Sequence, residues 1–546
     1  MRKSLILAAI LTLALGVFAP ATARSQGAEE QYVVVYRDGA SLATAHTAIR
    51  LAGAAVVREN AAVGVTTVAT RNLNFVRDAL AQGAFVGVAR KAPLGSTPTL
   101  VPKADEVAEA SRTAAAPMAA AAVGAEPLAG LQWGMAMIHA TASGSYAVEP
   151  GKPGVKVGII DSGIDASHPD IAPNFDATLS KTFATDIPLI DGPCEVASCV
   201  DPPNVDDNGH GTHVAGIVGA ALNGLGVAGV APNVTLVNLR AGQDSGYVFL
   251  QPVVDALTYA GNNGIDVVNM SFYIDPWLFN CADNPADSPE QQAEQRAIVT
   301  AVQRALKYAH NHNVTMVNSL GNSHIDLDNP TFDGTSPDYP PGSEYPRTID
   351  NSCLSLPAEG THIIGVSALG PSTAKADYSN WRGEEQIVSA PGGWFRDFFG
   401  TPQFRTNENL ILSTYPEALG RLTGRIAPDG SVVDPAVVRD CQGSVCAYYQ
   451  YLQGTSMAAP HATGVAALIV SDRGKADNKF GGLKMGPSSV RQVLFKTATD
   501  HACPNPPVID YLDEGRDASW TATCIGNAKK NNIYGQGIVD ALRAVQ

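Results

Sequence analysis

Two hydrophobic periods share this chain. Residues 32–36 are a β-rich apolar run ending at the turn Asp38-Gly39. From Ser41 the pattern lengthens to a helical one that reaches Leu51 and stops at Gly53. Residues 54–58 and 63–69 read as two strands joined by a polar turn. Asn72 opens a second helix, with Leu73, Val76 and Leu80 on one face, and residues 84–89 close the region as a last strand. The order β-α-β-β-α-β predicts a small ferredoxin-like α+β unit.

A second, larger region begins near Leu131-Gln132-Trp133. Residues 155–160, 234–239, 267–270 and 314–317 are short apolar strands, and residues 297–310 carry Ile298, Val302, Ala305 and Leu306 at helical spacing. Apolar strands alternating with helices predict an α/β domain with a largely parallel sheet covered on both faces. Sites in such sheets gather at the C-terminal strand ends, where Asp161 follows Ile160 and Asn322 follows the strand at Val317. Segments 186–208, 275–292 and 324–358, rich in Pro, Asp and Asn, read as surface insertions. A fourth, 394–452, holds short strand-like pieces and two cysteines. There is no internal repeat.

Between the two regions, residues 92–129 are rich in Ala and Pro without a helical stripe, as a linker is. At the start, Arg2 and Lys3 precede an apolar run over residues 5–18 and the small-residue site Ala21-Thr22-Ala23. Residues 1–23 therefore read as a secretory signal, the run being shorter than the ~20 residues of a membrane span. A soluble, exported (extracellular or periplasmic) protein is expected, with no membrane association after signal cleavage. The 546 residues carry 37 Lys+Arg against 52 Asp+Glu, a net charge of −15. That balance argues against a nucleic-acid partner. With 45% hydrophobic and 16% charged residues the chain has enough apolar material for a large core. All eight cysteines lie at or beyond position 194, and export favours disulfides over zinc, as no C-x-x-C pair occurs. Proximity along the chain predicts Cys194–Cys199, Cys441–Cys446 and Cys503–Cys524, leaving Cys281–Cys353.

The polar residues offer one set suited to nucleophilic hydrolysis: a hydroxyl, a base, an orienting carboxylate and oxyanion donors. Asp161 lies in Gly158-Ile159-Ile160-Asp161-Ser162-Gly163. His210 lies in Asn208-Gly209-His210-Gly211-Thr212-His213, and Ser456 in Gly454-Thr455-Ser456-Met457-Ala458-Ala459-Pro460. Singly, Asp161 and Ser456 read as well as helix or loop caps, and His210 with His213 as metal ligands, although no third ligand is evident. His213 and His461 read as packed inside helices, and Asp165 and Asp170 as holding the loop after Asp161.

Together, and in this order, the three segments resemble the signatures of the subtilisin-like serine proteases (subtilases, peptidase S8). Leu131-Gln132-Trp133-Gly134, Gly226-Val227-Ala228-Gly229 and Tyr534-Gly535-Gln536-Gly537 resemble the family's domain start, post-histidine segment and C-terminal stretch, and residues 31–89 its inhibitor (I9)-like propeptide. The resemblance implies a signal at 1–23, a propeptide at 24–91, a linker with the maturation site at 92–129 and a peptidase domain at 130–546. It implies Ser456 as nucleophile, His210 as general base, Asp161 as its orienting carboxylate and Asn322 as oxyanion donor. Substrate would lie on Asn269, Ser271, Ser319 and Gly321. Phe272-Tyr273-Ile274 and Val317-Asn318-Ser319-Leu320 depart from the family pattern and imply an altered, bulkier specificity pocket. Expected partners are protein or peptide substrates and the chain's own propeptide, acting on a monomer. The chemistry needs no cofactor. Structural calcium is left open: the family loop at Asn223-Gly224-Leu225-Gly226 offers one side-chain oxygen, and the acidic run 201–207 is another candidate. The rivals are a narrow-specificity processing protease and an inactive protein-binding relative. A lipase is disfavoured, because Ser456 is not in G-x-S-x-G.

Overall fold

A computed structural model describes residues 29–91, 126–383 and 385–546. The expected signal and nearly all of the expected linker lie outside the described residues.

The small unit has the anticipated element order. Strands β1 (Glu30–Tyr36), β2 (Ala54–Asn60), β3 (Val65–Thr70) and β4 (Phe85–Arg90) form an antiparallel sheet in the order β2-β3-β1-β4, with helices α1 (Leu42–Leu51) and α2 (Phe75–Leu80). Ser41 Oγ accepts the Thr44 N–H and caps α1, and Gly53 adopts φ +82° after its end. Asn72 does not open α2 directly. Its side chain accepts the Asn74 N–H in a turn, so the helix starts at Phe75 and Leu73 stays exposed.

In the large unit, strands β5 (Lys156–Ile160), β6 (Lys181–Thr182), β7 (Thr235–Arg240), β8 (Val267–Met270), β9 (Thr315–Ser319), β10 (Ile363–Leu369) and β11 (Ile387–Pro391) form one parallel sheet. Its order is β11-β10-β9-β8-β5-β7-β6. Helices α3 (His210–Gly219) and α6 (Thr455–Arg473) pack into the core on one face, and α4 (Leu250–Asn262) and α5 (Pro289–Asn311) into that on the other. The central strands are buried on both sides, which is why they read as continuous apolar runs. The segment 394–452 contributes an antiparallel sheet of β12 (Ile411–Thr414), β14 (Val445–Leu452) and β13 (Val437–Gln442), in that order.

Two expected surface insertions contribute residues to the core. Trp277 and Phe279 are fully buried, as is Arg347. Arg347 pairs with Asp287 at 3.0 Å and Asp333 at 2.5 Å, and its guanidinium lies 4.7 Å from the Trp277 ring centre. The Pro/Asp/Asn composition of 275–292 and 324–358 suggested solvent, but Arg347, Asp287 and Asp333 pair with one another in the interior. All four disulfides form in the expected pairs, and Cys281–Cys353 joins these two segments. Among the described residues no helix is long and apolar enough to cross a membrane.

The small unit sits on α4 and α5. Val33, Val35, Val63, Val65 and Ala89 join the same buried cluster as those helices, each valine contributing roughly 1.5–3 kcal/mol if fully buried. Arg58 pairs with Asp255, Asn60 Nδ2 donates to Asp255 and Thr258, and Arg90 N donates to Glu294. The approach is closest at Gly87, where any Cβ would lie 2.3 Å from Ala293 O.

Candidate active site

The C-terminal ends of β5, β7, β8 and β9 and the start of α6 surround a cleft of about 450 Å³. Asp161, His210, Ser271, Ser319, Gly321, Asn322 and Ser456 all line it.

Asp161 directly follows β5 and is buried; its Oδ1 accepts from His210 Nδ1 at 2.7 Å and from Ser162 N at 2.8 Å. His210 is the first residue of α3. The helix start is held by Asp206, whose carboxylate accepts from Gly209 N, Thr212 N and Thr212 Oγ1. Gly211 permits this approach, since a Cβ there would meet Gly163 O at 2.1 Å. His213, buried one turn later, lies with Nε2 2.9 Å from Gln450 O and 3.2 Å from Ile411 O, and burial pushes its pKa down to about 3. It is a neutral packing residue, not a metal ligand. His461 is also buried and held low, at about 4, with Nδ1 2.8 Å from Met457 O. Asp165 Oδ1 accepts from Ser167, and Asp170 accepts from Val227 N, Tyr449 Oη and Asn223 Nδ2.

Ser456 is the second residue of α6, so its N–H has no partner within the helix. Pro460, one turn on, cannot donate to Ser456 O. Ser271 Oγ donates there instead, at 3.0 Å, while Ser456 Oγ lies 3.1 Å from Ser271 O. Ser271, directly after β8, thus holds the serine from both sides. Asn322 is oriented by an equally specific device. Thr455 N and Thr455 Oγ1 both donate to its Oδ1, at 2.9 and 2.8 Å. That fixes the amide, leaving Nδ2 as a donor with no partner among the described residues.

Of the expected substrate contacts, Ser271, Ser319 and Gly321 reach the cleft and Asn269 does not. Its fully buried side chain donates to Ser271 Oγ and accepts from Thr463 Oγ1, beneath the cleft. The β pleat sends it toward α6, so it supports Ser271 instead of touching substrate. Of Phe272-Tyr273-Ile274, Phe272 and Tyr273 line the cleft, and Tyr273 Oη donates to Asp338 at 2.5 Å. Sequence reasoning missed Tyr378, Gln453 and Arg516, which also line the cleft. They lie in segments without a motif, and only the fold brings them together.

The loop at Asn223–Gly226 does not fit calcium. Asn223 Oδ1 is taken by Leu225 N, Asp170 by the donors named above, and the loop amides face the Glu126 carboxylate. Of the acidic run 201–207 only Asp201 belongs to a carboxylate cluster that could hold a cation, the other members coming from outside the run. Asp186, Glu195, Asp201 and Asp244 can place one oxygen each within 4.8 Å of one another. Asp186, only 7% exposed, has a buried oxygen with no hydrogen-bond partner. Arg240 pairs with Asp201 and Asp244 at the same place.

Comparison with known proteins agrees with this geometry. The family model described as Peptidase_S8, Subtilase family, matches residues 152–537. Subtilisin DY of Bacillus licheniformis is 30% identical over 346 residues, 63% of this chain and 84% of its own length. Thermitase of Thermoactinomyces vulgaris is 26% identical over 326 residues, 60% and 78% of the two chains. Among solved structures, the epidermin leader peptide processing serine protease of Staphylococcus aureus aligns with a TM-score of 0.61 at 21% identity, covering 95% of this chain and 98% of its own. Fervidolysin of Fervidobacterium pennivorans aligns at 0.55 and 21%, over 96% and 62%. At those identities the likeness is one of fold.

Proposed function

The chain belongs to the subtilase family and is a serine-type endopeptidase, and we propose that its chemistry runs through Ser456, His210, Asp161 and Asn322. His210 Nε2 takes the Ser456 Oγ proton as that oxygen attacks the peptide carbonyl. Asp161 on Nδ1 fixes the imidazole tautomer and stabilises the imidazolium. The oxyanion is met by Ser456 N–H and Asn322 Nδ2. The imidazolium protonates the leaving amine, and water repeats the sequence to release the acyl group. The observation that carries this reading is the 2.7 Å His210–Asp161 bond opening into the cleft that holds Ser456. A phosphonyl or sulfonyl fluoride should label Ser456 stoichiometrically and abolish activity. Asn322→Ala should lower kcat about 10²–10³-fold, the scale of the corresponding loss in the related subtilisin. Labelling at any other residue, with activity lost, would overturn the assignment.

We read the protein as an exported monomer made with a signal at 1–23 and a propeptide at 24–91. The compact small unit docked on α4 and α5, and the four disulfides, support this. Calcium would be held by Asp186, Glu195, Asp201 and Asp244, as a stabilising ion and not a reactant. Added calcium should raise the thermal midpoint by several degrees, and Glu195→Gln with Asp201→Asn should remove that response. An unchanged midpoint in wild type would sink the site.

A further inference from the structure

Arg516 reaches the catalytic cleft from an unexpected part of the chain. It belongs to the segment closed by Cys503–Cys524, near the C-terminus. One edge of its guanidinium is fixed: Nε donates to the buried Asp377 carboxylate at 2.6 Å. One face is fixed too, with Cζ 3.9 Å from the Trp520 ring centre. The two terminal nitrogens make no hydrogen bond among the described residues, and the side chain is 25% exposed. An arginine held by edge and face, with its terminal fork open to a peptide-binding cleft, is set up to receive a carboxylate.

The sheet order says which part of a substrate meets it. Gly242 and Gln243 follow β7, Ser271 follows β8, Asn322 follows β9, and Tyr378 lies beyond β10. Gln243 and Tyr378–Arg516 are thus at opposite ends of the cleft, with Ser456 between them. Lys91, the last described residue of the small unit, lines a cavity together with Gln243. If the following residues enter the cleft there to be cut, the acyl side of the scissile bond lies at Gln243 and the leaving-group side at Arg516. This direction rests on the maturation reading given above.

We propose that Arg516 forms a carboxylate-binding subsite on the leaving-group side, so that the enzyme favours peptides with a carboxylate shortly after the scissile bond. The carboxylate is that of an Asp or Glu side chain or the free C-terminus of a short peptide, and the two sources separate experimentally. Quenched fluorescent peptides would carry Asp, Asn or Lys at each of the first three positions after the cut, each with a free or an amidated C-terminus. The ratio of kcat/KM between acid and neutral partner is read within each enzyme preparation, so folding yield cancels. Wild type should favour the carboxylate about tenfold at one position. Arg516→Gln should bring that ratio to about one, and Arg516→Glu should invert it in favour of Lys over Asp. A structural role for Arg516 would lower all rates and leave the ratio unchanged. A preference that follows the free C-terminus identifies the α-carboxylate as the ligand; one that survives amidation identifies the side chain. Equal rates for every acid and neutral pair in wild type, or a ratio unmoved by Arg516→Glu, would overturn the subsite. Cleavage persisting in Ser456→Ala protein would instead count against the serine mechanism.

Discussion

Ser456→Ala protein should hydrolyse a peptide substrate about 10⁶-fold more slowly than wild type, the scale that removing the serine or histidine reaches in the related subtilisin. His210→Ala should match it, and the double variant should be little worse, because either change disables the same proton transfer. Asp161→Asn should cost about 10⁴-fold. The asparagine presents an N–H to a ring nitrogen that now donates at 2.7 Å to a carboxylate oxygen, and so favours the wrong tautomer. The fold should survive each change. Ser456 Oγ makes one hydrogen bond, to Ser271 O, while the backbone clamp from Ser271 Oγ to Ser456 O does not involve the substituted atom. Burst-calibrated initial rates and thermal midpoints check both statements. A well-folded Ser456→Ala protein retaining a per cent of wild-type kcat would refute the assignment.

The same variant should change what is secreted. Wild type should appear without residues 24–91, cut between about Lys91 and Ala129, whereas Ser456→Ala should accumulate with that segment attached. Mass spectrometry of the secreted protein and its N-terminal sequence decide between the two. The docking surface gives a second handle. At Gly87 a side chain would strike the α5 backbone at Ala293 O, so Gly87→Val should loosen the small unit and lower the yield of folded peptidase without touching the cleft. Fully active secreted wild type that still begins near Tyr32 would show that the segment is an accessory domain.

The fold was largely legible in the sequence wherever local and tertiary signals agreed. Ser41 and Gly53 bracket α1 because a cap and a left-handed stop act locally. The apolar runs at 155–160 and 267–270 are strands because burial on both faces demands it. The proposed catalytic positions, which the fold gathers in one cleft, stand out because glycines and small residues around Asp161, His210 and Ser456 leave a dense local imprint. What was illegible depends on distant partners. Arg347 looks like a surface cation until Asp287 and Asp333 arrive from other segments. Asn269 looked like a cleft residue, but the strand's pleat turns it away. One missed signal was local: Ser288 and Gln291 form a reciprocal capping box with Pro289 between them, which marks the start of α5 inside a stretch read as insertion. Arg516 had no such signal, since only a disulfide-closed excursion carries it to the cleft.

The four disulfides have a consequence for timing. Every cysteine lies in the large unit, so the proposed cleavage of the linker would leave no covalent bond holding the small one. Before the cut, the linker holds the two at an effective concentration on the order of millimolar. After it, their association becomes bimolecular and obeys mass action. If the proposed propeptide inhibits after release, it would block the enzyme only where both are concentrated, as in the confined space of a cell envelope, and let go on dilution outside. Onset of activity would therefore lag more at high protein concentration than at low, and escape into a larger volume would itself serve as the trigger.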